Sequence, residues 1–307
     1  MHRLLVLLSL ALAFPVTAFA CDMSTNARSD SVADYVEDAR SCLAAPPQGF
    51  AFDEQMELAF IRLINDERVS RGLQPLILRD DMRPAARFHS LDMGINNFFG
   101  HETPKGRTSA FRISAFDRTL LTQLSAENVA QLETKWTCTD GAGETISCAG
   151  MVDELNSPFA GAVERLHTDL MNSPGHRDNI LSPKSTHISL GVATSDTGIY
   201  VTQLFAKPIG RFLSPLPLRL VAGREIDADV ELDGYDFKRF ALMEGSKVKD
   251  LFDADLPDEA RGDLELAVRG ENTETIKDGG RVSQVFNVIY LPGPSVTVVE
   301  SDPATGS

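Results

Sequence analysis

Apolar positions recur at helical spacing through most of the first two thirds of this chain, and at every second position through the last third. The change falls near residue 208, in a proline-marked stretch between residues 208 and 217. Met56, Ala59, Phe60, Leu63 and Ile64 predict a helix capped by Asp53 and ended at Gly72, with Pro75 just beyond. Ala85, Phe88 and Leu91 predict a second helix over about residues 81–94. A third should start at Ser157-Pro158, a cap followed by proline at the first helical position, and carry Val163, Leu166, His167, Leu170 and Met171. Ser173-Pro174 repeats that signal and predicts a short further helix. Residues 187–193 and 199–205 read as strands joined by the turn Asp196-Thr197-Gly198. Beyond Leu218, alternation at Ile226, Ala228, Val230 and Leu232, at Leu264, Leu266 and Val268, and over residues 285–291 and 296–299 predicts a small β-sandwich.

The amino terminus changes this picture. His2 and Arg3 precede an apolar run over residues 4–14 and the small-x-small triplet Ala18-Phe19-Ala20, the pattern of a cleaved signal peptide over residues 1–20. The run is too short to span a bilayer, and no later segment is long and apolar enough to do so. A signal peptide implies an oxidising compartment, so the four cysteines should pair. Of the three pairings, the local one is preferred, Cys21–Cys42 with Cys138–Cys148. None has a neighbour at zinc-finger spacing. Cys21 would be the first mature residue, which raises lipidation as an alternative; Ala18 and Phe19 fit that signal poorly.

The formal charge is -15. Residues 1–20 carry Arg3 and no acidic side chain, so the mature chain stands one unit lower, near -16. Such a chain is repelled by nucleic acid and by anionic membrane surfaces. The acidic stretch over residues 250–258 lacks the ligand spacing of a calcium loop and reads as solvated.

Six segments, in order, carry a family resemblance. They are Asn65-Asp66-Glu67-Arg68 with Gly72-Leu73-Gln74-Pro75-Leu76, then Ala86-Arg87-Phe88-His89-Ser90-Leu91, Phe99-Gly100-His101, Ala126-Glu127-Asn128, Asn172-Ser173-Pro174-Gly175-His176-Arg177, and Tyr200-Val201-Thr202-Gln203-Leu204-Phe205. Together they resemble the CAP (or SCP) domain superfamily of cysteine-rich secretory, antigen 5 and pathogenesis-related 1 proteins, in its bacterial branch. The resemblance covers about residues 53–206. It implies an α/β fold, a three-layer α-β-α sandwich, followed here by the β-sandwich-like region. The expected organisation is a signal peptide (1–20), an extension (21–50), the CAP domain (51–207), a β-rich domain (208–299) and a disordered tail (300–307).

The resemblance also implies a cleft lined by His101, His176 and Glu127. A second glutamate found in eukaryotic relatives is replaced here by Ser173. Two imidazoles and one carboxylate predict weak, water-completed zinc binding, with Glu127 as a ligand or as the group that orients an imidazole. A metal-free hydrogen-bonded cluster is the other reading. Ser173, His176 and Glu127 could instead serve as nucleophile, base and orienting acid, but Ser173 fits equally well as a helix cap. His89 reads as a buried core residue, His187 as exposed, and His167 as lining the cleft or facing solvent. Asn65 and Arg68 read as loop anchors. Trp136 lies in an insertion expected to shape access to the cleft.

Three functions follow. The first is a secreted or periplasmic module binding a small hydrophobic or lipid-like ligand. The second is a metal-assisted or serine-type hydrolase of peptide or cell-envelope material. The third is an interaction protein whose C-terminal domain docks on an envelope partner. Binding or interaction is preferred to catalysis.

Overall fold

The computed structural model describes Cys21 and residues 31–133, 137–139, 145–147, 161–196, 198–245, 247–278 and 281–300. The signal segment, the Cys138–Cys148 pairing, Trp136, the start of the third helix at Ser157 and the tail from residue 301 lie outside the described residues.

Helix α1, Val32–Ala44, opens the described fold. Helix α2, Glu54–Ser70, starts where Asp53 accepts the Met56 amide. It ends in a turn that puts Gly72 at φ +75°, a conformation that favours glycine. Helix α3, Arg83–Ile95, follows a 3-10 turn at Asp80–Met82. Helix α4 is Ser109–Phe116, α5 is Ala162–Asn172 and α6 is Pro174–Ile180.

Between these helices lies a six-stranded sheet. Its main path runs β1 (Phe50–Phe52), β6 (His187–Ser195), β7 (Gly198–Phe212) and β3 (Leu120–Glu133), all antiparallel. β2 (Ile77–Leu78) joins β6 in parallel, and β9 (Val230–Leu232) joins β7. A two-stranded hairpin, β4 (Thr137–Thr139) and β5 (Thr145–Ser147), stands apart.

Successive residues of a strand face opposite sides, and the two faces meet different helices. Ile188, Leu190, Val192, Ile199, Val201 and Phe205 share a core with Phe60 and Ile64 of α2 and Leu166 and Leu170 of α5. On the other face, Leu204 and Ala206 meet Met82, Ala85 and Ala86, and Ala193 meets Phe88 and Leu91. Helix α3 lies so close that a Cβ on Gly191 would fall 2.2 Å from the Arg87 nitrogen. These are the three expected layers. Buried Glu57 ties the edge, accepting two 2.8 Å hydrogen bonds from Arg87 and one from the Val192 amide.

The C-terminal region is β-rich, as expected. Its strands form one five-stranded sheet, β11 (Lys247–Phe252), β10 (Asp236–Glu244), β12 (Gly262–Asp278), β13 (Arg281–Val299) and β8 (Arg219–Val221), and not two facing sheets. The opposing layer comes partly from the first sheet, through the ends of β3 and β7 and through β9, and partly from the segments carrying Leu216, Ile226 and Leu256. β7 runs unbroken through residues 207 and 208. The overrunning ends of β3 and β7 place Leu121 and Phe212 in one core with Phe240, Phe252, Leu266, Val268, Leu291 and Val296. Two separately predicted strands, residues 285–291 and 296–299, belong to the single strand β13. Past its pairing with β10, the β12–β13 hairpin projects as a two-stranded ribbon on which Val282 and Phe286 are exposed.

The preferred disulfide Cys21–Cys42 is formed, with Cα atoms 4.4 Å apart. It ties the first residue of the extension to α1 and leaves Cys21 no thiol for lipidation. Among the described residues, no helix is long and apolar enough to cross a membrane.

Candidate functional site

His101 follows the α3 C-terminus on an irregular loop. Asn97 in this loop takes φ +51°, a left-handed conformation that asparagine tolerates better than most residues. Three buried groups hold the loop. His89 on α3 donates from Nε2 to the Gly100 carbonyl at 2.9 Å. Arg112 on α4 donates from Nη2 to the His101 carbonyl at 3.0 Å and from Nη1 to the Arg107 carbonyl at 2.7 Å. Glu127 on β3 accepts from Nδ1 of the His101 ring at 3.0 Å.

Glu127 also takes Nη2 of Arg112 at 2.5 Å on its second oxygen. Both oxygens are therefore committed, and the carboxylate and the guanidinium are almost fully shielded, with side chains 2% and 0% exposed. The His101 side chain is 55% exposed, so the network runs from a dry interior to an open face.

His176 lies in the first turn of α6. Its carbonyl accepts from Nδ2 of Asn128 at 3.1 Å. Asn128 also donates to Gln203 and accepts from Asn179, which in turn donates to the Glu127 carbonyl. This amide chain sets the helix turn on the strand, and it brings the His176 and His101 rings to 6.4 Å between centroids.

The two imidazoles differ electrostatically. The hydrogen bond to Glu127 holds His101 above its ordinary value, against its partial burial. Burial, and then the neighbouring His101, lower His176. For Glu127, burial alone would raise the carboxyl; the bond from His101 and the charge of Arg112 outweigh it and hold the group low. The protonated form is thus favoured in one ring and the neutral form in the other.

Ser173 occupies the cap position of α6, at φ −85° and ψ 119°, but its hydroxyl makes no capping bond and no hydrogen bond to His176. His101, Glu127 and His176 are brought together, whereas no side-chain hydrogen bond joins Ser173 to them. His89 is buried as expected. His167 is buried too, with neither ring nitrogen partnered among the described residues. His187 is half-buried and bonds Thr186. Asn65 exchanges two bonds with the Leu76 backbone, and Arg68 reaches the carbonyls of Gln74, Ile180, Ser182 and Ser185. Both are the loop anchors predicted. Arg112 was missed. Its only sequence signal is an arginine flanked by Phe111 and Ile113 in a short helix.

The donor set can be tested against zinc directly. With Glu127 engaged twice, two imidazoles remain. Among the described residues, no three His, Cys, Asp or Glu side chains are placed to hold a metal ion. The donor set falls short of the three or four protein ligands of a resident zinc.

Helices on both faces of an antiparallel sheet, with a paired-histidine face backed by a buried carboxylate, define the class of protein to which the sequence pointed. Residues 61–205 match the model of the cysteine-rich secretory protein family, and this part of the chain belongs to that CAP superfamily. A Bacillus subtilis (strain 168) protein described as uncharacterized protein YkwD is 27% identical over 188 residues, 61% of this chain and 59% of that protein. The match thus spans about three fifths of the relative's length. Among solved structures, an outer surface protein from Borrelia burgdorferi is 16% identical with a TM-score of 0.38, covering 52% of this chain and 98% of that one. An extracellular protein containing an SCP domain from Bacillus anthracis str. Ames is 24% identical with a TM-score of 0.36, covering 50% of this chain and 41% of that one.

Proposed function

We propose that the chain works outside the cytoplasm as a binding module whose ligand-contacting groups are His101 and His176. The first ligand class is a divalent cation such as zinc, held weakly by the two imidazoles and water. The observation that carries this reading is the bond from His101 Nδ1 to Glu127. It fixes the tautomer so that the lone pair of the neutral ring sits on Nε2, at the ring edge away from Glu127. Metal-binding histidines are oriented by carboxylates in this way. Arg112 secures Glu127 from behind, which suits the carboxylate to orienting and not to ligation. The Cys21–Cys42 bridge and the signal-like segment support an oxidising compartment. Serine-type hydrolysis has less support, because it needs a nucleophile in hydrogen-bond contact with a base and Ser173 has none.

The reading is tested by calorimetric titration of zinc into the full mature chain. Saturable uptake is expected, lost in His176→Ala and weakened about tenfold or more in Glu127→Gln. No uptake, or uptake unchanged in His176→Ala, overturns it.

A further inference from the structure

Where the two sheets meet, a cleft of about 150 Å³ opens between α4, β3 and the β12–β13 hairpin. Ile113, Leu120, Leu124 and Pro292 give it an apolar wall. Glu265 lies on its rim and also borders a second cleft of about 280 Å³, so the two spaces adjoin at this residue.

Glu265 differs from its polar neighbours. Asp263, two positions earlier, accepts both the Val32 amide and the Thr297 hydroxyl. Ser295, opposite Glu265 in the ladder, is bonded to Ser114 at 2.7 Å. The Glu265 carboxyl has no hydrogen bond and no ion pair among the described residues, and burial raises it above the usual carboxylate range. A half-buried carboxylate with no partner of its own, set beside an apolar cleft, is a candidate site for a cationic group.

The backbone beside it is shaped to match. Glu265 pairs with Ser295 while Ala267 pairs with Pro292, so Gly293 and Pro294 together oppose Leu266. Such a bulge bends the strand and re-aims neighbouring side chains. A Cβ on Gly293 would sit 2.9 Å from both Leu121 and the Leu266 carbonyl, so only glycine lets the hairpin close on β3 here.

We propose that this cleft binds a small organic cation, an ammonium group on a short apolar chain, with Glu265 as its counter-ion and Ile113, Leu120 and Leu124 around the chain. The size is suitable, since an apolar cavity of about 150 Å³ admits a molecule as large as benzene. Among the described residues, Glu265 is the one ionisable side chain lining the smaller cleft. A cation there gains a charge partner in a partly desolvated setting, where Coulomb attraction is stronger than in water. The chain's net charge of -15 adds a general attraction for cations. None of this involves the histidine face, so this site and that one can fail separately.

The test is a calorimetric and NMR titration of the full mature chain with n-butylammonium, set against n-butanol and butyrate. Saturable binding of n-butylammonium is expected in the millimolar range, well within what a ligand of five heavy atoms can reach. Glu265→Gln should weaken it about tenfold or more with no fall in melting temperature. Ala110→Phe, at an exposed position that lines both clefts, should block it while leaving the fold unchanged. No binding at about 50 mM, equal binding of n-butanol, or no effect of Glu265→Gln overturns the proposal.

Discussion

Glu127 and His89 are two buried ionisable groups that hold the same loop and are handled in opposite ways. Glu127 is kept charged by Arg112 and His101. His89 is kept neutral, because burial, and then the nearby Arg112, push it down to about 4. It donates from Nε2, and its Nδ1 is buried without a partner among the described residues. The linkage sign follows directly. Between about pH 4 and 6.5 the unfolded chain binds a proton at His89 that the folded chain refuses, so stability rises with pH across this window. The displacement corresponds to roughly 3 kcal/mol, lost progressively as pH falls through the window. Urea unfolding of wild type and His89→Gln between pH 7 and 4 checks this. The variant should start less stable, having lost the wild-type bond to Gly100, and should lose less on acidification; parallel profiles would refute it. Because Gly100 adjoins His101, acidification should also loosen the loop that presents the histidine face.

At the scale of elements, α1 shows how a segment can be held by the distant part of the chain. Its Val32 amide meets Asp263, its Ala33 amide meets Thr297, and Arg219 pairs with Asp34 and Glu37. A carboxylate at a helix amino terminus satisfies free amides and complements the helix dipole. Asp263→Ala should therefore cost about 1–2 kcal/mol, read as a lower urea midpoint. An unchanged midpoint would mean that α1 contributes little to the folded state.

Legibility in the sequence followed the range of the interactions. Helix α2 is legible because period, cap and stop all lie within a few residues; α3 is legible from its apolar period and α6 from its Ser-Pro start. Helix α1 is not among the elements predicted, although Val32, Tyr35, Val36, Ala39 and Cys42 do recur on one face. Ser31 caps it locally, but the groups that bond its exposed face and first turn, Asp263, Thr297 and Arg219, lie more than 180 residues away. The histidine pair and Glu127 are legible through their motifs. Arg112 is not, because nothing local to residues 109–116 reveals that its charge meets Glu127 inside the fold. The layering of the C-terminal sheet is only half legible. Alternation identifies strands but does not say which surface will cover them.

At the scale of the whole molecule, Arg118 binds the two halves together. Its guanidinium donates to the carbonyls of Ser114, Ala115, Leu216, Pro217 and Ser295. Burial lowers it to about 10, so it stays charged at neutral pH. Arg118→Met would keep much of the bulk and remove every one of these bonds. Part-buried carbonyls left without donors make a loss of about 1–3 kcal/mol the expected result in urea unfolding. A change well below about 1 kcal/mol would show that water replaces the guanidinium at no cost.

The overrunning ends of β3 and β7 have a consequence for any attempt to take this protein apart. Leu121 and Phe212 belong by sequence to the strands of the first sheet and by packing to the core of the second. A chain cut after residue 207 would lose Phe212 and Leu216 and leave Leu121 facing water. The piece that remained would carry an open wound, not a finished surface. Shared strands make the two halves one inheritance for evolution and for the protein engineer: a neighbour for the CAP layers cannot be swapped without rebuilding the strands that carry Glu127 and Gln203.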